Sequence, residues 1–355
     1  MTSLPRRPSM TDVADRAGVS YQTVSRVLND PHRVKPATRE RVQAAIEELG
    51  FTRNRAARAL RTTRSRIIGV LTDGSSLYGP ATTLSAVEAA AHEAGYTTLL
   101  ASVGPHGASG ERTGRELLES GADGIIVIAP HEGMVPALEA IARTTPIVSV
   151  TAGAPAIPGA TMVTVDQARG ARSVVEHLAE AGCRSVVHLQ GPPSWFDARG
   201  RRAGFVEAVD QLGLDAEITE PGDWSPGSGA RIAEALLRGP LPDAVFAAND
   251  HMALGLLHVL HARGVRVPEQ VAVVGFDDIS GAAYFTPSLS TVRQPFDRLG
   301  QAAVARLISG LGPAPEEAAP AAAPSGLAAD LAPELIVRRS SSLTAPATTD
   351  EPPVS

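Results

Sequence analysis

Apolar residues recur at helical spacing through the first 50 residues and predict three short helices. Each begins beside a residue whose side chain can cap a helix, and the predicted caps are Thr11, Ser20 and Thr38. The second helix is predicted to run from 21 to about 28. Two short helices joined by a turn that contains Gly18 are typical of a helix-turn-helix.

From residue 66 onward, short apolar runs alternate with amphipathic stretches. The predicted strands are 67–72, 97–102, 124–129, 146–150, 162–165, 185–190, 243–248, 271–276 and 333–339. Helices predicted between them include 80–94, 167–181, 198–212, 229–237 and 251–263. This alternation predicts an α/β fold with parallel sheets and helices on both faces. The segment is long for one such sheet, so we expect two lobes with a cleft between them.

Charge is distributed unevenly along the chain. Residues 1–66 hold 14 basic and 6 acidic side chains, whereas the remaining residues hold 18 basic and 32 acidic ones. A basic head on an acidic body predicts a polyanionic partner at one end only. The single cysteine, Cys183, excludes an intrachain disulfide framework and a multi-cysteine zinc site.

No apolar run is long enough for a membrane helix, and the first residues lack the apolar region of a secretory signal. We therefore expect no membrane partner and a cytoplasmic location. The predicted organisation is a helix-turn-helix domain at 8–52, a hinge helix or linker at 53–64, a core at 65–340 and a disordered tail at 341–355. Within the core we expect lobe 1 at about 65–164 and 294–332 and lobe 2 at about 165–293 and 333–340, with an Ala/Pro-rich insertion at 311–333.

Residues 11–60, TDVADRAGVSYQTVSRVLNDPHRVKPATRERVQAAIEELGFTRNRAARAL, closely resemble the DNA-binding head of the lac repressor/galactose repressor family. The body continues the resemblance with IIGVLTD, DARGRRAGF, GDWS, AANDHMALG, VVGFDD and STVRQP in the family's order. The resemblance implies a bacterial transcription regulator, usually a repressor, whose core is like a periplasmic binding protein. It implies a small-molecule effector and no cofactor.

The second helix carries the residue types that read DNA. Tyr21 and Gln22 lie in its first turn and Arg26 lies one turn later, where side chains can reach base edges in the major groove. Further contacts to the DNA, chiefly to phosphates, are expected from Thr11, Ser20, Thr23, Ser25, Asn29 and Arg33. The resemblance implies a hinge helix that enters the minor groove, with Leu60 as an apolar wedge and Asn54, Ala57 and Arg58 on the same helix.

The resemblance also implies a sugar site in the core, because several residues match the family's effector contacts. These are Arg199, Trp224, Asn249, Asp277 and Gln294, with Asp73 and Trp195 as further candidates. Each follows the end of a predicted strand, where ligands collect in open α/β sheets. Ile128 and Thr151 depart from the polar residues found in galactoside-responsive members.

Together these features predict a repressor of sugar-utilisation genes that binds a palindromic operator as a homodimer and is released by a galactoside-like sugar. The tail lacks an apolar heptad repeat, which favours a dimer over a tetramer. A co-repressor-type or activating regulator with a different effector is the alternative.

Two other classes stay open at this stage. A sugar-binding transport protein would share the core but lack the basic head. An enzyme would need a catalytic group such as Asp277 with Asp278, or Cys183 with His177 or His188. The histidines show no metal-ligand spacing, so no metal is expected.

Overall fold

A computed structural model describes residues 8–51, 64–104, 110–129, 131–151, 157–312 and 330–342. Contacts divide the chain into two compact units, residues 1–65 and 66–355. Most of the predicted hinge, with Asn54, Ala57, Arg58 and Leu60, lies outside the described residues. In the described helices, none combines the length and the apolar character needed to cross a membrane.

The first unit is a bundle of three helices around a small apolar core. Its helices are α1 (Met10–Ala17), α2 (Tyr21–Asn29) and α3 (Pro36–Leu49), with a 3-10 turn at Pro31–Arg33. The core side chains are Val13, Ala14, Ala17, Val24, Val27, Val42, Ala45 and Phe51. Burial of this face leaves the polar face of α2 in solvent.

Two predicted caps in this unit are wrong. Helix α1 is capped by Ser9 and not by Thr11, because Asp12 N–H donates to the Ser9 hydroxyl (3.3 Å) while Ser9 N–H donates to the Asp12 carboxylate (2.7 Å). Helix α3 begins at Pro36, ahead of Thr38, since the fixed φ of proline suits the first turn. The third cap is as predicted, with Thr23 N–H donating to the Ser20 hydroxyl (3.2 Å).

The second unit alternates strands and helices as predicted. Its strands are β1 (Ile67–Thr72), β2 (Thr97–Ser102), β3 (Gly124–Ile128), β4 (Ile147–Val150), β5 (Ala160–Val165), β6 (Ser185–Leu189), β7 (Asp215–Ile218), β8 (Ala244–Ala247), β9 (Ala272–Val274), β10 (Thr291–Arg293), β11 (Asp330–Leu331) and β12 (Glu334–Ile336). Its helices are α4 (Tyr78–Glu93), α5 (Gly110–Glu119), α6 (Val135–Ala142), α7 (Gln167–Glu180), α8 (Phe196–Leu212), α9 (Pro226–Leu236), α10 (Asp250–Ala262) and α11 (Phe296–Gly310).

Two parallel sheets form the centres of two lobes. The lobe 1 sheet has the order β11-β5-β4-β3-β1-β2, and the lobe 2 sheet has the order β7-β6-β8-β9. Helices α4 and α11 cover one face of the first sheet and α5 and α6 the other. Helices α9 and α10 cover one face of the second sheet, and α7 and α8 cover the opposite face.

Within the described residues, the chain passes between the lobes three times. The passages lie between β5 and α7, between β10 and α11, and between β11 and β12. Strands β10 and β12 pair with each other in an antiparallel ribbon that packs on lobe 2 through Val292 and Leu335. The carboxyl ends of both sheets therefore face one cleft at these passages.

The carboxyl-terminal part of the chain differs from the prediction in two places. The Ala/Pro-rich segment 311–333 contains a strand, β11, whose Leu331 is 2% exposed and pairs with β5. The predicted disordered tail, 341–355, starts too early, because Ser341 is buried and its hydroxyl lies 2.8 Å from both Ser290 Oγ and His177 Nε2. Isolated two- and three-residue strands carry too few residues to show a period in the sequence.

Ser340 and Ser341 should fasten the end of the chain to lobe 2. Ser340 N–H donates to the Ser288 carbonyl (3.0 Å), its hydroxyl donates to the Val273 carbonyl (2.6 Å), and Val273 N–H donates to the Ser340 carbonyl (2.8 Å). Deleting 340–355 should therefore lower the unfolding free energy by about 2–4 kcal/mol, as several buried groups lose partners. Deleting only 343–355 is the control and should leave the midpoint of thermal unfolding unchanged. Equal midpoints for the two truncations would contradict this assignment.

Candidate functional site

The exposed edge of α2 is the candidate DNA-reading surface. Tyr21 is 55% exposed, and Gln22 and Arg26 are also exposed, while Val24 and Val27 of the same helix are buried in the bundle. The helix therefore presents an aromatic ring, an amide and a guanidinium along one solvent-facing edge. These groups suit base edges in a major groove.

The other predicted DNA-binding residues of the head surround that edge. Thr11 is exposed, and the Thr23 hydroxyl lies 2.9 Å from that of Ser20. Ser25 is half-buried, and the Arg33 guanidinium pairs with the Asp30 carboxylate at 3.0 Å. Arg33 must exchange that carboxylate for a phosphate if it binds DNA. The side chain of Asn29 lies outside the described residues.

The cleft between the lobes contains two adjoining compartments that share Gly79, Pro80 and Asp197. The first, of about 420 Å³, lies toward lobe 1 and is lined by Ile128, Val150, Thr151, Val165, Phe296 and Leu299, among others. The second, of about 320 Å³, lies toward lobe 2 and is lined by Tyr78, Trp195, Arg201, Trp224, Asn249 and Asp277, among others.

A ring of buried hydrogen bonds closes the floor of the cleft. The Arg201 guanidinium donates through Nε to Gln167 Oε1 (2.9 Å), to the Ala248 carbonyl, and through Nη2 to Asp277 Oδ1 (3.4 Å). Gln167 Nε2 donates to Gln294 Oε1 (2.8 Å), and Gln294 Nε2 donates to the same Asp277 oxygen (2.8 Å). The ring joins two interlobe passages, because Gln167 begins α7 and Gln294 follows β10.

Arg199 is not part of this site. Its side chain is 44% exposed at the rim, where Nη1 lies 2.5 Å from Glu132 Oε1. Arg201, only 3% exposed, supplies the guanidinium inside the cleft. Side chains two positions apart on a helix point in directions that differ by about 200°, so only one of the two arginines can face the cleft. Of the two arginines, only Arg201 lines the cleft.

Asp277 lies where β9 leaves the sheet, beside the cleft, and Asp278 faces away from it. Both have positive φ, +114° and +52°, which L-residues rarely adopt. Asp278 pairs with Arg293 of β10 (2.7 Å) and with Arg338 just after β12 (2.7 Å). Adjacent aspartates thus join the cleft to both strands of the interlobe ribbon.

Aromatic rings line the lobe 2 compartment. Trp195 and Trp224 meet edge to face with centroids 5.7 Å apart. Asn249 caps α10 through its side-chain oxygen and donates from Nδ2 to the Trp224 carbonyl (3.1 Å). Any side chain at Gly191 would strike the Trp224 ring, so this glycine makes room for it. Trp224 Nε1 is buried with no hydrogen-bond partner among the described residues.

The lobe 1 compartment is less polar. Ile128 and Val150 lie at the ends of β3 and β4, and the buried Thr151 hydroxyl has no partner in the described part of the chain. Asp73, predicted as an effector residue, does not line either compartment. Its carboxylate instead lies 3.4 Å from His131 Nε2 and accepts from Ser75 N–H (2.9 Å).

Besides Arg201, the residue patterns did not single out Gln167, Asp197 or Tyr78, which also line the cleft. Gln167 follows β5 and Asp197 lies in the first turn of α8 beside the predicted arginine motif. Tyr78 comes from lobe 1 and begins α4, which was predicted to start two residues later. The rule that ligand residues follow strand ends points to Gln167, because the strand predicted at 162–165 ends at the same residue as β5.

Burial dominates the electrostatics of the cleft. It raises the pKa of Asp277 to about 6, although the Arg201 guanidinium opposes the shift. Burial, together with the charge of Asp277, raises the pKa of Asp250 to about 8. Burial and the same carboxylates also raise the pKa of the Tyr78 hydroxyl. The cleft therefore favours neutral, hydrogen-bonding groups over free charges.

The groups considered for enzyme chemistry lie in packed surroundings. Burial raises the pKa of the Cys183 thiol, which disfavours the nucleophilic thiolate. His188 is stacked between Phe205 and Phe246, and burial lowers its pKa to about 4. Within the described residues, no three His, Cys, Asp or Glu side chains gather in a way that could hold a metal ion.

Two family models match the chain. One, described as bacterial regulatory proteins of the lacI family, matches residues 9–54, and one for a periplasmic binding protein-like domain matches residues 175–341. The lactose operon repressor of Escherichia coli K12 is 34% identical over 305 residues, covering 84% of each chain. The transcriptional regulator CelR of Thermobifida fusca is 37% identical over 323 residues, which are 85% of this chain and 91% of the relative.

Solved structures agree with these relatives. A lac repressor dimer bound to operator and the anti-inducer ONPF has a TM-score of 0.77 at 29% identity, covering 95% of this chain and 99% of that one. A CelR–cellobiose complex has a TM-score of 0.65 at 31% identity, covering 94% and 100%. The fold class predicted from the sequence is confirmed.

The buried Asp250 should make stability depend on pH. Its folded-state pKa of about 8 lies above the ordinary value of 3.8, so between pH 4 and 8 the folded chain holds a proton that the unfolded chain releases. The unfolding free energy contributed by this group therefore falls as pH rises through that window. Asp250→Asn should flatten the decline, measured by urea unfolding at one protein concentration.

Asp223→Asn is the matched control. Hydrogen bonds from Ser225 lower the pKa of Asp223, so its titration falls below the window and the slope between pH 5 and 8 should stay as in the wild type. An Asp250→Asn protein with the wild-type slope would contradict the assignment.

Proposed function

The chain belongs to the LacI family of bacterial regulatory proteins and is a DNA-binding transcriptional repressor, and from this premise we propose that it is a sugar-released repressor of sugar-utilisation genes. The observation that carries the effector part of the proposal is the buried Arg201–Asp277 pair in an aromatic-walled cleft. Such a combination of planar donors, carboxylate and rings suits the hydroxyls and the C–H face of a sugar.

The head supports operator binding by a homodimer. One α2 edge, with Tyr21, Gln22 and Arg26, reads one half-site, so two chains are needed for a palindrome. The related lac repressor structure is a dimer on its operator. Tyr284 of lobe 2 is 74% exposed and Leu254 is 39% exposed, and we propose that both side chains lie in the contact between the two copies. DNA as the partner also accounts for the expected cytoplasmic location.

Two compartments favour a ligand of two units over a monosaccharide. One hydroxylated ring would lie against Arg201, Asp277 and Trp224 in lobe 2. The second unit would lie beside Ile128 and Val150, with Thr151 Oγ1 available for one hydrogen bond. The apolar surface formed by Ile128 and Val150 favours a glycoside whose second unit has few polar groups, because each unpaired buried hydroxyl costs about 1–3 kcal/mol. Galactosides and cellobiose-like plant sugars are the class to test.

Ligand binding would act on DNA through the interlobe passages. A sugar that engages Arg201 and Asp277 competes for donors and acceptors within the buried ring that includes Gln167 and Gln294. Rearranging that ring shifts the lobes relative to each other, and in the dimer this changes the spacing of the two heads. We propose that the bound state has the lower operator affinity.

Arg26 should determine base preference at one position of each half-site. Arg26→Ala should cost about 1–3 kcal/mol of operator binding and relax the preference for one guanine, since the bidentate contact is lost. Arg33→Ala is the control, because losing a phosphate contact should weaken all sequences alike and reduce the salt dependence. Binding to operator variants in solution measures both. An unaltered sequence preference in Arg26→Ala would refute the recognition-helix assignment.

Arg201 should be essential for the response to sugar, and Arg199 should not be. Arg201→Lys keeps a cation beside the buried Asp277 carboxylate but loses the planar fork of donors. It should fold and bind operator but keep that affinity when cellobiose, phenyl β-glucoside or phenyl β-galactoside is added, whereas Arg199→Ala should still respond. Operator titrations with each sugar measure the difference. Loss of response in Arg199→Ala alone would return the role to Arg199, and tighter operator binding with sugar would favour a co-repressor.

A further inference from the structure

A short segment of lobe 1 meets lobe 2 at the rim of the cleft. His131 and Trp195 form an antiparallel backbone bridge, and Glu132 N–H donates to the Ser194 carbonyl (3.1 Å). The Glu132 carboxylate also pairs with Arg199. We propose that His131 and Glu132 form an interlobe clasp that positions Trp195 for the ligand, a proposal that rests on the proposed effector function of the cleft.

The buried half of the clasp is the His131 side chain. It is 7% exposed and lies between Asp73 of lobe 1, with Nε2 3.4 Å from Oδ2, and the Trp195 ring, with centroids 5.6 Å apart. Trp195 in turn contacts Trp224 edge to face. A lobe 1 histidine therefore supports one wall of the lobe 2 compartment, in addition to the lobe 2 core against which Trp195 packs.

The exposed half is the ion pair between Glu132 and Arg199. The Arg199 guanidinium stacks 4.8 Å from the centroid of Phe196, in the same first turn of α8, which restricts its rotamers. An exposed pair of this kind shifts an equilibrium by up to about fivefold. Because Glu132 lies in lobe 1 and Arg199 in lobe 2, the pair stabilises only the arrangement in which the lobes meet.

These contacts give new roles to two residues expected to bind the effector. Asp73 and Arg199 act through His131, Glu132 and Trp195, and they are positioning residues. Asp73 and Arg199 lie near the family's ligand motifs in the sequence because the clasp is at the strand ends that surround the cleft.

The chain's two tryptophans make the clasp measurable without a sugar or an operator. Both Trp195 and Trp224 lie in the cleft, so a Trp224→Phe background leaves Trp195 as the only indole. Acrylamide quenching of that fluorescence reports the access of solvent to Trp195. In this background Glu132→Gln, Arg199→Gln and His131→Ala should each raise the quenching constant, because each removes a contact between lobe 1 and the segment that carries Trp195.

Two controls complete the test: a charge reversal across the Glu132–Arg199 pair, and the loss of an ion pair that lies within lobe 2. The double variant Glu132→Arg with Arg199→Glu should return the quenching constant toward that of the background. Glu207→Gln removes a comparable ion pair, Glu207 with Arg172 at 3.0 Å, that lies within lobe 2 between α7 and α8, and it should have no effect. Unchanged quenching in all clasp variants, or an equal rise in Glu207→Gln, would overturn the proposal. If the quenching results are as expected but no sugar changes operator affinity, the effector function would be refuted while the clasp would stand.

Discussion

The buried guanidinium of Arg201 is the constraint around which the cleft is organised. A charge that is 3% exposed is tolerable only when its donors are satisfied, and here a carboxylate, an amide oxygen and a backbone carbonyl accept from it. Gln167 and Gln294 then link these acceptors to one another. Because both glutamines lie at passages between the lobes, satisfying one buried charge also fixes how the two sheets meet.

Strained backbone at Asp277 and Asp278 links the buried guanidinium to the ribbon of β10 and β12. The positive φ values of Asp277 and Asp278 cost of order 1–3 kcal/mol each and persist only where the surroundings fix them. The fixing contacts are visible: Asp277 accepts from Arg201 and Gln294, and Asp278 pairs with Arg293 and Arg338. A ligand that pulls on Asp277 therefore acts directly on the ribbon that joins the lobes.

Sequence patterns predicted the layered fold and most strand ends, because parallel strands and amphipathic helices have clear periods. They failed where the deciding contact lies far away in the chain. Arg199 and Arg201 share a motif, and only packing against Gln167 shows which one enters the cleft. Asp73 follows a strand end as ligand residues do, yet His131, distant in sequence, takes its carboxylate. Strand β11 has two residues and acquires its pairing from β5.

Hydrogen exchange at the interlobe passages tests whether ligand binding at Arg201 is coupled to the connections between the lobes. Amide exchange of residues 164–168 and 291–296 would be followed by mass spectrometry with and without a sugar that lowers operator affinity. We expect a change in protection at both passages on binding, with little change in α9, which packs on one face of the lobe 2 sheet. A sugar that releases the operator while exchange at both passages stays constant would contradict it.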